Sequence, residues 1–302
     1  MKQETENNFK SGYVAILGRP NVGKSTLMNN LVGEKIAIIS SKAQTTRNRI
    51  MSILNTDKAQ IIFLDTPGIH KPQHKLGDYM VKAALTTLKD VDLVLFVVDV
   101  TEKRSTGDDH ILELLRNAKL PVILVLNKID LLKSQAEILH IIEDYSKEFP
   151  FTAVVPLSAL QDKELKELVQ EIEKNLPVGP HYFDEDVLTD QAERVIAGEM
   201  IREKILLSTH DEVPHSVAVE VNDFKEREND TVYIRATIYV ERESQKGILI
   251  GAKGSMLKKI GALARQDIEN LLNIKVFLEL WVKVRQDWRN SPAALKSFGY
   301  KE

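Results

Sequence analysis

The chain contains no cysteine. That absence excludes disulfides, thiolate zinc sites, iron–sulfur clusters and cysteine nucleophiles, and it suits a reducing compartment. Aromatic residues are scarce, at 6%. There is no excess of basic charge either: 41 Lys and Arg stand against 44 Asp and Glu, a formal net charge of −3, so no global positive field draws the chain toward nucleic acid. Long apolar runs are also missing. The strongest, Leu93–Val98 and Val122–Leu126, fall far short of the about 20 residues that span a bilayer, and they read as buried strands. The stretch from Met1 to Lys10 is polar, so no secretory leader is expected and the expected location is the cytoplasm.

What remains is a globular composition, 43% hydrophobic and 28% charged over 302 residues. That is too long for one ordinary core of about 100–200 residues, so two domains are expected. In the first half, short apolar strands at Tyr13–Leu17, Gln60–Leu64, Leu93–Val98, Val122–Leu126 and Ala153–Val155 are interleaved with helical patterns such as Leu76–Leu88 and Asp108–Asn117. Alternation of this kind predicts an α/β domain with a mostly parallel sheet and helices on both faces. Ile50–Leu54 reads as an antiparallel edge strand.

The second half has another order. A helix over 191–207 is followed by alternating strands at Ser216–Val221 and Thr231–Val240, a turn at 224–231, a helical stretch over 247–272 and a strand at Val276–Val284. The order α-β-β-α-α-β predicts a small α+β domain. The expected organisation is a polar N-terminus over 1–11, a first domain over 12–176, a Pro- and Gly-punctuated linker over 177–190, a second domain over 191–285 and a tail over 286–302. Charge is unevenly spread. Residues 246–302 carry 11 Lys and Arg against 5 Asp and Glu, so a basic surface is confined to the C-terminal fifth.

Three segments of the first half carry chemistry. Gly18-Arg19-Pro20-Asn21-Val22-Gly23-Lys24-Ser25 fits G-x-x-x-x-G-K-[ST] between a strand and a helix, the context a phosphate-binding loop requires. The backbone from Gly18 through Thr26 is expected around the phosphates, with an N–H from each residue but Pro20, and the helix N-terminus adds positive potential. Lys24 is expected to bridge the β- and γ-phosphates and Ser25 to reach Mg²⁺. Asp65-Thr66-Pro67-Gly68 ends the next sheet strand. This puts Asp65 at the mouth of the site as a second Mg²⁺ partner and the Gly68 N–H within approach of a γ-phosphate. Asn127-Lys128-Ile129-Asp130 ends a further strand. The Asp130 carboxylate can accept N1–H and the 2-amino group of guanine, while adenine offers neither, so GTP and GDP are the expected ligands. Ser158-Ala159-Leu160 follows the last strand and can lean backbone N–H groups on the guanine O6.

In order and spacing these segments are similar to the translation-factor-class GTPases over residues 12–175. The resemblance places Gln44, Thr45, Thr46, Arg47 and Asn48 in the first switch. Spacing does not separate Thr45 from Thr46; Thr46 is the expected Mg²⁺ and catalytic residue beside Lys24, Gly68 and Asn21. Ras-like relatives place a water-orienting Gln after D-x-x-G. Here the position is Ile69, followed by His70 and then His74. Asn21 resembles the asparagine that holds K⁺ in relatives with such a hydrophobic replacement.

In the second half, Gly251-Ala252-Lys253-Gly254 lies between a short apolar helix and a basic one carrying Lys259. This is the KH arrangement, in which backbone and Lys253 lie on phosphates while a groove takes roughly four unpaired nucleotides. Met256, Ile260, Leu263, Ile268 and Leu271 are expected to face the sheet; Phe277 and Trp281 read either as base-stacking rings or as packing beneath the C-terminal tail, and packing is the expectation. Gln286–Asn290 reads equally as an RNA contact or a surface segment. A P-loop GTPase followed by a type II KH domain resembles the TrmE–Era-type family of bacterial GTPases. The motifs GRPNVGKS, QTTR, DTPGIH, NKID and GILIGAKG agree across nearly the whole chain. The resemblance implies a slow GTPase that binds small-subunit ribosomal RNA near its 3′ end. It also implies a role in small-subunit assembly and a peripheral contact with the cell membrane.

Overall fold

The computed structural model describes residues 8–42, 44–69, 74–161, 164–227 and 230–300. Its contacts divide the chain into two units. The first holds Met1–Ala37, Thr46–Lys71 and Met80–Asp190; the second holds Ile38–Thr45, Pro72–Tyr79 and Gln191–Glu302.

The first half of the chain runs β1 (Lys10–Leu17), α1 (Lys24–Val32), β2 (Ile50–Asn55), β3 (Ala59–Asp65), α2 (Lys75–Thr87), β4 (Leu93–Asp99), α3 (Thr106–Ala118), β5 (Val122–Asn127), α4 (Gln135–Glu148), β6 (Ala153–Leu157) and α5 (Leu165–Asn175). Its six strands form one sheet in the order β2-β3-β1-β4-β5-β6. Every neighbouring pair is parallel except β2 with β3, the edge pair expected to be antiparallel. The central strands are continuously apolar because both faces are covered. Val14, Ile16, Ile61, Phe63 and Leu95 enter one core, and Ala15, Leu17, Ile62, Leu64 and Phe96 enter the other.

The segment read as a linker, 177–190, is bound along the β2–β3 edge. The buried amide of Gln60 donates to the Phe183 carbonyl and accepts from the Tyr182 and Phe183 N–H groups. Thr189 donates to the Met51 carbonyl and the Ile53 N–H to the Leu188 carbonyl. The sequence offers little periodicity there because the segment is held by these hydrogen bonds and by isolated side chains, Phe183 and Val187 against the core, rather than by a regular apolar stripe.

The second unit adds α6 (Glu193–Ser208), β7 (Ala218–Arg227), β8 (Thr231–Val240), α7 (Glu243–Ile250), α8 (Ser255–Leu272), β9 (Lys275–Val284) and α9 (Pro292–Ser297). The sheet order is β7-β8-β9, antiparallel then parallel. Met200, Ile201, Ile234, Ile238, Leu249, Ile260 and Ile268 share its core.

The two helices expected over 247–272, on either side of Gly251–Gly254, are α7 and α8. Three expectations need correction. β7 runs on to Arg227, through an irregularity between Val221 and Asp223, so most of the expected turn is strand. Leu263 lies outside the buried stripe, which passes through Ile260, Ala264 and Ile268. The tail is folded: Trp288 is wholly buried, donates from Nε1 to the Ser216 carbonyl at 2.8 Å and meets the Phe298 ring edge-on. Among the described residues no helix is long and apolar enough to cross a membrane.

Candidate functional site

The carboxyl ends of the parallel strands β1, β3, β4, β5 and β6 bring together the residues singled out in the first half. In open α/β sheets this edge is where ligands bind. β1 stops at Leu17, and Gly18–Gly23 leads into α1 at Lys24. Gly23 has φ +98°, and a Cβ there would lie 2.3 Å from Asn127 Nδ2. Only glycine lets the loop close onto the end of β5.

Asn127 then holds three segments in place. Its Nδ2 donates to the Val22 carbonyl at 2.8 Å, and its Oδ1 accepts from the N–H groups of Lys128 and Ala159 at 2.8 and 3.0 Å. Lys128 Nζ donates to the Asn21 carbonyl at 3.0 Å and forms a close ion pair with Asp99. Ser158 Oγ donates to Asp130 Oδ1 at 2.5 Å, which aims the carboxylate and leaves Oδ2 for a ligand. Ile129 is partly buried against the core, and Leu160 is exposed.

On the phosphate side, Lys24 is buried, and its Nζ donates to the Gly18 and Arg19 carbonyls at 3.1 and 2.8 Å. Burial pulls its ammonium down to about 8 from an ordinary 10.5, against the opposing pull of Asp65. Burial likewise raises the Asp65 carboxyl above the ordinary carboxylate range, although Lys24, Ser25 and Thr46 favour its charged form. Burial thus disfavours the charged form of both groups, and each partly offsets that for the other.

Ser25 Oγ donates to Asp65 Oδ2 at 2.7 Å, Thr46 Oγ1 reaches the same oxygen at 3.2 Å, and the two hydroxyls are 3.0 Å apart. Asp65 Oδ1 is buried without a hydrogen-bond partner among the described residues. This all-oxygen set fits Mg²⁺, which keeps waters and takes few carboxylates. Among the described residues no group of three or more His, Cys, Asp or Glu offers an alternative. Thr45, by contrast, turns its hydroxyl to the Lys42 carbonyl at 2.7 Å. Thr66 donates to the Ile16 carbonyl at 2.8 Å, tying the start of the D-x-x-G turn to β1.

Two side chains point elsewhere. Arg19 is paired with Asp108 at 2.9 Å and Glu102 at 2.8 Å, toward the start of α3, so its backbone rather than its guanidinium belongs to the loop. Ile69 is 3% exposed and packs in the core with Leu17, Met51 and Leu64. It cannot touch a water molecule at the phosphates. His70 lies outside the described residues.

Sequence reasoning missed Asp99, the partner of Lys128, and the role of α6. In the second unit the buried Arg202 pairs with Glu199 at 2.6 Å and donates to the Thr45 carbonyl, while Glu203 accepts the Ile39 N–H at 2.9 Å. The stretch just before Thr46 is thus held on α6. The available signal was the run Arg202-Glu203-Lys204 placed between the apolar Ile201 and Ile205 of that helix.

The second unit also carries the Gly251–Gly254 loop. α7 ends at Gly251, with φ +70°, where a Cβ would lie 2.8 Å from the backbone N of Met256. Lys253 is itself left-handed, with φ 51°. These angles turn Ala252 and Lys253 outward, and both are exposed, as is Lys259 one turn into α8. Phe277 and Trp281 do not pack beneath the tail: they are 55% and 54% exposed, and Trp288 fills that place instead.

A family model described as 50S ribosome-binding GTPase matches residues 13–128, and a KH domain model matches residues 212–289. The chain is 54% identical to the GTPase Era of Ruminiclostridium cellulolyticum over 97% of this chain and 98% of that one. Its structure is similar to that of an Aquifex aeolicus Era variant bound to GDP·AlF4⁻, with a TM-score of 0.94 and 46% identity over 97% of this chain and 100% of that one. It is equally similar to Era in complex with MgGDPNP and nucleotides 1506–1542 of 16S ribosomal RNA, with a TM-score of 0.95 and 46% identity over the same shares. Likeness at this level covers 97% of the chain and so runs through both units, and the chain belongs to the Era family of GTPases.

Proposed function

We propose that the chain is a GTP-hydrolysing switch whose KH unit binds single-stranded small-subunit ribosomal RNA near its 3′ end and assists assembly of that subunit in the cytoplasm. The RNA half rests on one observation above others. A left-handed G-x-x-G loop with an exposed Lys253 stands in a chain whose relative was crystallised with a 16S fragment.

In the first unit, Ser25, Thr46 and Asp65 would hold Mg²⁺, which neutralises charge on the β- and γ-phosphate oxygens when bound. Lys24 meets the same phosphates, the Gly68 N–H faces the γ-phosphate, and Asp130 reads guanine. Asn127, Lys128 and the Ser158–Leu160 turn keep that carboxylate in place.

Ile69 is withdrawn into the core, so water is positioned by backbone groups and by a cation rather than by a side chain at 69. Asn21, exposed at the loop apex with φ 66°, is the residue we assign to K⁺. Exchange of potassium for sodium at equal ionic strength slows GTP turnover in this reading, and Asn21→Ala removes the difference. Equal rates in the two salts with the unmodified chain would leave Asn21 a loop-shaping residue.

The RNA reading is tested by Ala252→Asp with Lys253→Asp. The pair adds two negative charges and removes one positive charge where phosphates would lie. Affinity for a single-stranded ribosomal 3′-end oligonucleotide should fall, and the slope of log K against log salt should shrink by about one unit for each phosphate no longer neutralised. Undiminished binding contradicts the reading. So does a duplex that outcompetes the single strand at physiological salt, because the groove accepts unpaired bases.

A further inference from the structure

The outer face of the β7-β8-β9 sheet carries a row of side chains that the Gly251–Gly254 loop does not use. The period of two puts Lys275, Phe277, Glu279, Trp281 and Lys283 on one face of β9, while Val276 turns to the core. All of the row but Glu279 are exposed.

Phe277 is paired in register with Tyr233, with ring centroids 6.0 Å apart and planes 24° from parallel. The Arg227 guanidinium lies over both rings, 4.1 Å from Tyr233 and 5.6 Å from Phe277. Glu279 accepts from the Tyr233 hydroxyl and from Trp281 Nε1, each at 2.6 Å, so the row's carboxylate orients the indole. Asp223, on β7 at the far side of β8, is taken up by Lys225 at 2.9 Å and Arg235 at 2.5 Å. Lys275 and Lys283 have no acidic partner among the described residues.

Two half-exposed aromatic rings, each beside an available ammonium, match a single strand of nucleic acid. Ring faces stack on bases and cations meet the phosphates. A protein interface would instead deplete charge at its centre. Phe277 and Trp281 stand four residues apart on the strand, about 13 Å, which leaves room for a nucleotide between two stacked bases. β9 is an edge strand, and α7, the helix that leads into the Gly251 loop, packs over it from the other side. A strand leaving that loop therefore rounds one free edge to reach the row.

We propose that Phe277 and Trp281, backed by Tyr233 and Arg227 and flanked by Lys275 and Lys283, form a second single-stranded RNA subsite that stacks unpaired bases. This inference rests on the RNA reading of the KH unit, and the experiment separates the two. The full chain and its Phe277→Ala, Trp281→Ala double variant are titrated with ribosomal 3′-end strands of about four and about twenty nucleotides, the shorter filling only the KH groove. The dissociation constant for the longer strand should rise about tenfold or more in the double variant, with the shorter strand unaffected.

Trp281 fluorescence should be quenched by the longer strand alone. Trp281→Phe should keep the affinity and lose the quench, since Trp288 is buried. Lys275→Glu with Lys283→Glu should weaken the longer strand without removing a ring, which guards against a misfolded double variant. The inference is overturned if the double variant, unfolding at the parent's temperature, binds the longer strand as the parent does; the face would then serve a protein partner. It is overturned equally if Trp281 emission is indifferent to RNA. Loss of both strands in the Ala252→Asp, Lys253→Asp variant, beside no loss in the ring variant, sinks this inference alone. No loss in either variant sinks the RNA reading with it.

Discussion

Asp130→Asn should turn a guanine-selective chain into one that prefers xanthine nucleotides. The substitution keeps an Oδ1 able to accept the Ser158 hydroxyl, which lies at 2.5 Å, so the segment stays in place. It replaces the other carboxylate oxygen by an NH₂ that faces the N1–H and 2-amino donors of guanine. A buried unmatched donor costs about 1–3 kcal/mol, roughly 5- to 150-fold in affinity. The 2-oxo group of xanthine accepts the new N–H and recovers much of that loss. Competition of GTP, XTP and ATP against a labelled guanine nucleotide checks the expectation. ATP competing equally with GTP in the unmodified chain would remove Asp130 as the reader of the base.

Lys24→Ala should lower GTP turnover by about 10²–10³ or more, the range seen when a single preorganised donor to developing charge is removed. The reasoning is electrostatic. Lys24 sits buried on two loop carbonyls with its ammonium pulled down to about 8, a charge that burial disfavours until phosphate arrives. Phosphate stabilises the charged form, so nucleotide binding above about pH 8 should draw in a proton, and affinity should weaken as pH climbs from about 8 toward 10.5. Calorimetry of GDP binding without magnesium, in buffers of different ionisation enthalpy, reads the proton directly. Lys24→Ala should abolish the uptake while leaving RNA affinity intact; retained turnover would contradict the role given to the ammonium.

The parts of the molecule legible in the sequence are those where a local pattern has one physical solution. β3 and β4 are apolar at consecutive positions because helices cover both sheet faces, and Gly18–Ser25 between strand and helix suits a phosphate. The expectation for Asp130 rests on base chemistry alone.

Other features depend on what the chain meets in three dimensions. Spacing could not choose between Thr45 and Thr46, because the choice is made by Asp65 and Ser25, which reach only Thr46. The alternation of β9 identified the face of Phe277 and Trp281 but not what lay over it. The residue that fills the core beside the tail is Trp288, in a 3₁₀ turn of three residues, too short for a periodicity to mark it. Arg202 reads as a surface charge until Glu199 and the Thr45 carbonyl are found beside it.

The most direct test is a crosslinking map of a single-stranded ribosomal 3′-end oligonucleotide on the full chain with GTP analogue bound. The crosslinks should gather at Gly251–Gly254 and Lys259, leaving the nucleotide loop Gly18–Ser25 untouched. Crosslinks confined to residues 12–176 would contradict the assignment of GTP to one unit and RNA to the other.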